Sequence, residues 1–346
     1  VTDLRDLLGI RHPIVLAPFG GLSSVPLTAA VSAAGGLGSY GLYGYDGKRI
    51  RETAAALRAA TDAPFALNIW LPTGDEVAPT TAHDAYAMAL RPYFDEVGLE
   101  LPPRPERYLP SLDEQLDAIW DAAPAALSVV FGVPPRALVD EAHRRGIRVI
   151  GTATTVAEAR ALEAGGADAI VATGAEAAGH RVSFLRPAEK SLVGLFALLP
   201  QVADAVSVPV IAAGGVADRR GVAAAFALGA AGVQVGTSFL ATAESAANDA
   251  HRVAIRTTSA DASVLTRAMS GRLARGARNR VVAEIEASDA IAPFPAQNWL
   301  TGRFRAVAGE RGIGELQSLW LGQSAPLARG ETAREVFAEL AAGLPA

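Results

Sequence analysis

The chain has 346 residues, 50% of them hydrophobic, and a formal net charge of −5 at pH 7. That is enough apolar material for one large α/β domain, or for a domain with a sizeable insertion, and the acidic balance lacks the basic footprint that a nucleic-acid partner requires. The absence of cysteine removes disulfides, thiolate metal sites, iron–sulfur clusters and thiol nucleophiles.

Residues 1–10 alternate charged and apolar side chains without a signal core, and no stretch reaches the roughly 18 uninterrupted apolar residues of a membrane span. A cytoplasmic protein that acts on a small molecule is expected, with homo-oligomer formation left open. From residue 14 onwards one pattern repeats: a short apolar, often β-branched run, a glycine-containing turn, then an Ala/Leu-rich amphipathic stretch, which reads as βα units. Strands are expected at 14–17, 37–40, 65–69, 126–131, 148–151, 169–172, 209–212 and 232–235, with helical sequence such as 26–34, 50–60 and 135–145 between them. Continuous apolar strands suit a parallel sheet covered on both faces, and eight units favour a closed (β/α)8 TIM barrel over an open doubly wound sheet.

Such a barrel needs on the order of 250 residues, and two regions break its rhythm. Residues 71–110, rich in Pro, Asp and Glu, read as a long loop with one helix after the third strand. Residues 257–322 read as a small, mainly helical cap that binds substrate. The barrel then comprises 1–256 and 323–346, the last helix returning to it.

Chemistry in this fold sits at the C-terminal ends of the strands. After the seventh strand comes Gly214-Gly215, and after the eighth come Gly236 and Thr237. Both loops allow backbone N–H groups to approach a phosphate, at the place where this fold commonly binds one. Either loop alone reads as a tight turn; the pair favours phosphate. No lysine lies near, so backbone and the Thr237 hydroxyl are expected to bind the anion. Asn68 is an amide in an apolar strand and needs a partner, which could be a ligand or a neighbouring strand. Ala17, Pro18 and Phe19 offer a small-residue mouth against which a flat ring could lie. Of five histidines only His180 falls at a strand's C-terminal end, and an unperturbed pKa near 6.5 suits proton abstraction. Glu176 is placed either to orient His180 or to pair with Arg181. No second histidine or carboxylate has ligand spacing to His180, so no metal is expected.

With these residues in view, the sequence resembles the nitronate monooxygenase family, formerly called 2-nitropropane dioxygenases, which are FMN-dependent barrel enzymes. The likeness is carried by "HPIVLAPFGG", "GGADAIVATGAEAAGHR", "VPVIAAGGVADRRGVAAAFALGAAGVQVGTSFLATAES", "SGRLARGARNR" and "LWLGQSAPLAR". It implies that His180 is the catalytic base. It further implies that Gly214, Gly215, Gln234, Val235, Gly236 and Thr237 hold the flavin phosphate, that Asn68 contacts the flavin, and that Ala17, Pro18, Phe19, Thr173, Ala178 and Gly179 line its ring and ribityl chain. Phe19, Thr173 and Ala178 stand where the family commonly has methionine, glutamine and glycine. The implied reaction is oxidation of an alkyl nitronate or nitroalkane by FMN and O2 to a carbonyl compound and nitrite. Enoyl-acyl-carrier-protein reductases and quinone reductases that use FMN and NAD(P)H resemble the same barrel, and they remain an alternative, as does a flavin-binding protein without turnover.

Overall fold

The computed structural model describes residues 2–288 and 290–345. Its strands are β1 (Ile14–Leu16), β2 (Gly38–Gly41), β3 (Phe65–Trp70), β4 (Ala126–Val130), β5 (Arg148–Ala153), β6 (Ala169–Thr173), β7 (Gly179–His180), β8 (Val210–Ala213), β9 (Gly232–Val235), β10 (Ser263–Thr266) and β11 (Ala274–Ala277). Eight of these form one parallel sheet in the order β1-β9-β8-β6-β5-β4-β3-β2. A parallel bridge between Val15 and Leu37 brings its two edges together, with Leu37 N–H donating to Ile14 O and Leu16 N–H to Leu37 O, both at 2.9 Å. The sheet therefore closes into the (β/α)8 barrel expected from the spacing of the apolar runs.

The strands are apolar on both faces because both are buried. Inside the barrel, Val15, Ala66, Ala126, Ile150, Val171 and Ile211 pack with Leu4, Leu8 and Ile10 of the N-terminal segment. The helix Leu4–Leu8 is capped by the Asp3 carboxylate and stopped by Gly9 in the left-handed region, φ 66°, so it forms a short plug. Outside the barrel, the helix Ala333–Ala341 starts on a capping box of Thr332 and Glu335 and buries Val336, Phe337 and Leu340 beside Leu27 and Val31. The chain's last helix thus returns to the first βα unit.

The 71–110 segment forms two short helices, Ala82–Ala89 and Arg91–Glu96, rather than a loop with one. Their buried face, Leu90, Phe94 and Val97, follows the i, i+4, i+7 spacing of a helix and joins Met269, Val281, Leu300 and Phe304 in a single core above the barrel. Residues 257–322 contribute the helices Arg280–Ser288 and Ala296–Glu310 but also the antiparallel pair β10 and β11. β11 then pairs with β7, placing His180 opposite Ala274. The expected mainly helical segment therefore carries a small sheet, and that sheet includes the strand bearing His180.

Candidate active site

A cavity of about 910 Å³ opens at the C-terminal ends of the barrel strands, beneath the cap. It lies near the upper end of the range for small-molecule pockets. Ala17, Pro18, Phe19, Asn68, Thr173, Ala178, Gly179, His180, Gly214, Gly215, Gln234, Gly236 and Thr237 all line it. Val235 does not: its side chain is buried with Ile14, Leu16 and Phe239 outside the barrel, and its carbonyl accepts the Ala17 N–H at 2.9 Å. Alternation along β9 turns Gln234 inward and Val235 outward.

Gly214 and Gly215 have φ of 93° and 74°, a region that favours glycine. A Cβ on Gly215 would meet no atom within 4 Å. The backbone N–H groups of Gly214, Gly215, Gly236 and Thr237 have no protein acceptor among the described residues, and neither does the Gln234 side-chain amide find a partner there. Thr237 Oγ1 accepts the Gly322 N–H at 3.1 Å, which leaves its own hydrogen free to donate. Unpaired donors converging beside open space form a set that fits a phosphate.

Asn68 is 3% exposed, and its Nδ2 donates to Ser128 O at 3.2 Å and lies 3.1 Å from Ser128 Oγ. The carbonyl partner fixes the orientation of the amide. Asn68 therefore bridges β3 to β4, while its Oδ1 has no protein donor among the described residues.

His180 is reached through Gly179, whose φ of 72° turns the chain from the β6 loop into β7. The imidazole stands between two indoles, with ring centroids 4.8 Å from Trp70 and 5.6 Å from Trp320. Burial, reinforced by the positive charges of Arg272 and Arg305, lowers its pKa to about 3. The surroundings thus favour the neutral ring and move it away from the unperturbed value near 6.5.

Glu176 neither orients His180 nor pairs with Arg181. Both its carboxylate oxygens accept the Leu195 N–H, at 2.9 and 3.0 Å. Arg181 instead donates to Gly174 O at 2.7 Å and Thr173 O at 3.1 Å, fixing the end of β6. The segment after His180 is held by Glu158, whose Oε1 accepts Phe184 N–H at 2.7 Å and whose Oε2 accepts Thr154 N–H at 2.7 Å.

Several wall residues were not anticipated. Trp70 could have been found, since it ends β3 two positions after Asn68. His251 belongs to the helix Asp249–Thr257; it reaches the wall with Nε2 bonded to Trp320 O at 2.8 Å. Arg305 comes from the cap helix, where nothing in the sequence separates it from neighbouring arginines. Its Nη1 donates to Ser318 Oγ at 2.8 Å and its Nη2 to Asn298 Oδ1 at 2.7 Å, while its Nε is buried without a partner. Among the described residues no carboxylate lies within ion-pair distance, and burial lowers its pKa to about 10.

Fold and site together define a (β/α)8-barrel enzyme whose cavity joins the glycine-loop N–H donors to a part-buried histidine. The sequence matches the nitronate monooxygenase family over residues 2–343. It is 37% identical over 344 residues to a probable nitronate monooxygenase of Staphylococcus aureus, covering 97% of this chain and 95% of the relative. Among solved structures it resembles nitroalkane oxidase from Streptomyces ansochromogenes, with a TM-score of 0.86, 36% identity and 98% of both chains covered. FabK from Thermotoga maritima gives a TM-score of 0.77 at 30% identity, over 98% of this chain and 94% of its own. The chain belongs to the nitronate monooxygenase family. It is an oxidoreductase whose activity class is the oxidation of nitronates or nitroalkanes. Among the described residues no helix is long and apolar enough to cross a membrane.

Proposed function

We propose that this protein oxidises alkyl nitronates with FMN and O2 to a carbonyl compound and nitrite, and that His180 takes the α-proton when a neutral nitroalkane is presented. One observation carries the reading: Arg305, a part-buried cation that has no carboxylate partner among the described residues, faces the same cavity as His180. Burying an unpaired charge is costly, and an anionic ligand would offset that cost. A nitronate is such an anion.

The FMN assignment is supported by the unpaired donors at Gly214, Gly215, Gly236 and Thr237, which would hold its phosphate, and by Gln234 and Asn68 Oδ1, which offer hydrogen bonds deeper in the cavity. When bound, the flavin supplies the redox chemistry. The chain's own residues do the rest. Trp70, Trp320 and Phe19 line the cavity with aromatic surface and limit water, Arg305 attracts the anionic group, and His180 offers the lone pair that takes the proton; its low pKa belongs to the site without ligand, and the negative charge that forms beside the ring on proton loss would raise it.

Purified protein is expected to carry noncovalent FMN and, given a preformed alkyl nitronate, to consume oxygen and release nitrite. Colourless protein that cannot be reconstituted with FMN would remove the flavin reading; flavin-loaded protein inert towards nitronates would remove the substrate reading.

A further inference from the structure

His180 is held by a residue whose geometry decides which ring nitrogen carries the hydrogen. Ser270, 1% exposed, lies in the turn between β10 and β11, and its Oγ is 2.8 Å from His180 Nε2. The same oxygen is 3.0 Å from the Arg272 carbonyl oxygen and 3.2 Å from the Arg272 nitrogen. The turn is clamped on both sides. Gln297 donates to Ala268 O at 2.6 Å and Thr301 Oγ1 to Met269 O at 2.5 Å. Gly271, at φ 83°, has Ala292 O and Phe294 N each 2.7 Å from where a Cβ would sit. Ser270 therefore has little freedom to move away from the ring.

A hydroxyl has one hydrogen to give and two lone pairs to receive. The Arg272 carbonyl can only accept, and no other donor reaches it among the described residues. Leaving a buried carbonyl unpaired costs about 1–3 kcal/mol, so the Ser270 hydrogen goes to Arg272 O. One lone pair receives the Arg272 N–H. The other faces Nε2, which must then be the donor.

We infer that Ser270 is a positioning residue that fixes neutral His180 as the Nε2–H tautomer, leaving Nδ1 as the atom that accepts the substrate's proton. Nδ1 has no protein partner among the described residues. The groups facing the ring are the Trp70 and Trp320 indoles and the Arg272 and Arg305 guanidiniums, none of which can take a hydrogen from it in Ser270's place. In the step itself the Cα–H bond breaks, its electron pair stays on the substrate as the nitronate, and the proton ends on Nδ1. No oxidant or reductant enters this step. The inference rests on the proposed role of His180 as base, but the tautomer is measurable without turnover.

The test is nitrogen NMR of holoenzyme labelled with ¹⁵N at histidine, His180 being assigned by loss of its signals in His180→Asn. In the wild type, the shift of a protonated ring nitrogen is expected at Nε2 and that of a lone-pair nitrogen at Nδ1; the reverse would overturn the inference. In Ser270→Ala, the Nε2–H loses its acceptor, and its hydrogen-bonded ¹H–¹⁵N resonance is expected to move upfield and to exchange faster with water. The nitroalkane rate should then fall about tenfold through lost orientation, with the nitronate rate retained. An Nε2–H resonance unchanged in shift and in exchange rate in Ser270→Ala would also overturn it. If the tautomer behaves as stated yet His180→Ala keeps its nitroalkane activity, the base reading fails while the role of Ser270 in setting the tautomer stands.

Discussion

The backbone N–H of Gly322 donates to Thr237 Oγ1 across 3.1 Å, joining the end of the cap segment to the turn after the last barrel strand. The next residue, Gln323, donates its N–H to Glu176 O at 3.0 Å. Residues 320–323 thus tie the anion cradle to the loop that delivers His180. A Cβ on Gly322 would lie 2.8 Å from Glu176 O and 3.2 Å from Ala178 N, and both are backbone atoms. Gly322→Ala should therefore displace the loop before His180, costing about 1–3 kcal/mol of stability and lowering both flavin retention and turnover. Thermal melts and the flavin-to-protein absorbance ratio check this; unchanged values would mean that the close approach has no functional weight.

The anion cradle is best probed at Gly236. Its φ of −111° is ordinary for any residue, and a Cβ would sit 3.3 Å from the Ala17 Cβ, a tight but tolerable contact. Gly215 adopts a left-handed φ, so substitution there also adds backbone strain. Gly236→Asp places a negative charge among the N–H donors and should abolish FMN binding while the chain still folds. Full flavin content measured in the folded variant would move the phosphate elsewhere.

For His180, the expected outcome is a split between substrates. His180→Ala should lose about 10² to 10⁴-fold in rate with a neutral nitroalkane and far less with its nitronate, which has already lost the proton. FMN should stay bound. Because burial and two arginines hold the imidazole pKa near 3, lowering the pH from 8 to 5 does not protonate the ring, and the wild-type rate should show no enzyme limb near 6.5. A limb there that vanishes in the variant would show that the histidine is not desolvated in solution.

Arg305 should govern affinity for the anion. Arg305→Gln keeps a polar side chain near Ser318 and Asn298 but removes the charge. A charge-assisted hydrogen bond is worth about 1.5–3 kcal/mol, so KM for a nitronate should rise roughly tenfold to a hundredfold and KM for a neutral nitroalkane should stay nearly constant. With one cation gone, the His180 pKa moves up. Equal effects on both substrates would assign Arg305 to cap packing.

The barrel was legible because its strands include uninterrupted apolar runs such as Ala169 to Ala172 and Val210 to Ala213, separated by glycine turns at regular spacing. The same logic placed His180, Asn68 and both glycine loops on one cavity wall, since strand ends share one face of the fold. The cap's sheet was hidden: β7 is a dipeptide and its pairing with β11 spans about ninety residues of sequence, which local pattern does not encode. Arg305 and Ser270 were hidden for a related reason. Arg305 reaches the cavity and Ser270 reaches the His180 ring only through the fold of the cap, and a guanidinium without a carboxylate partner among the described residues is recognised only once its surroundings are known. The perturbed pKa of His180 follows from the same enclosure by Trp70, Trp320 and two arginines drawn from distant segments.

The central claim, oxidation of a nitronate by bound flavin, is tested most directly by anaerobic mixing. Purified flavin-loaded protein should be bleached when mixed with an alkyl nitronate under exclusion of oxygen, and should recover its yellow colour when air is admitted. Mixed separately with NADH, it should remain oxidised over the same interval. Rapid bleaching by NADH with no response to nitronate would contradict the account and make the protein a reductase on the same barrel.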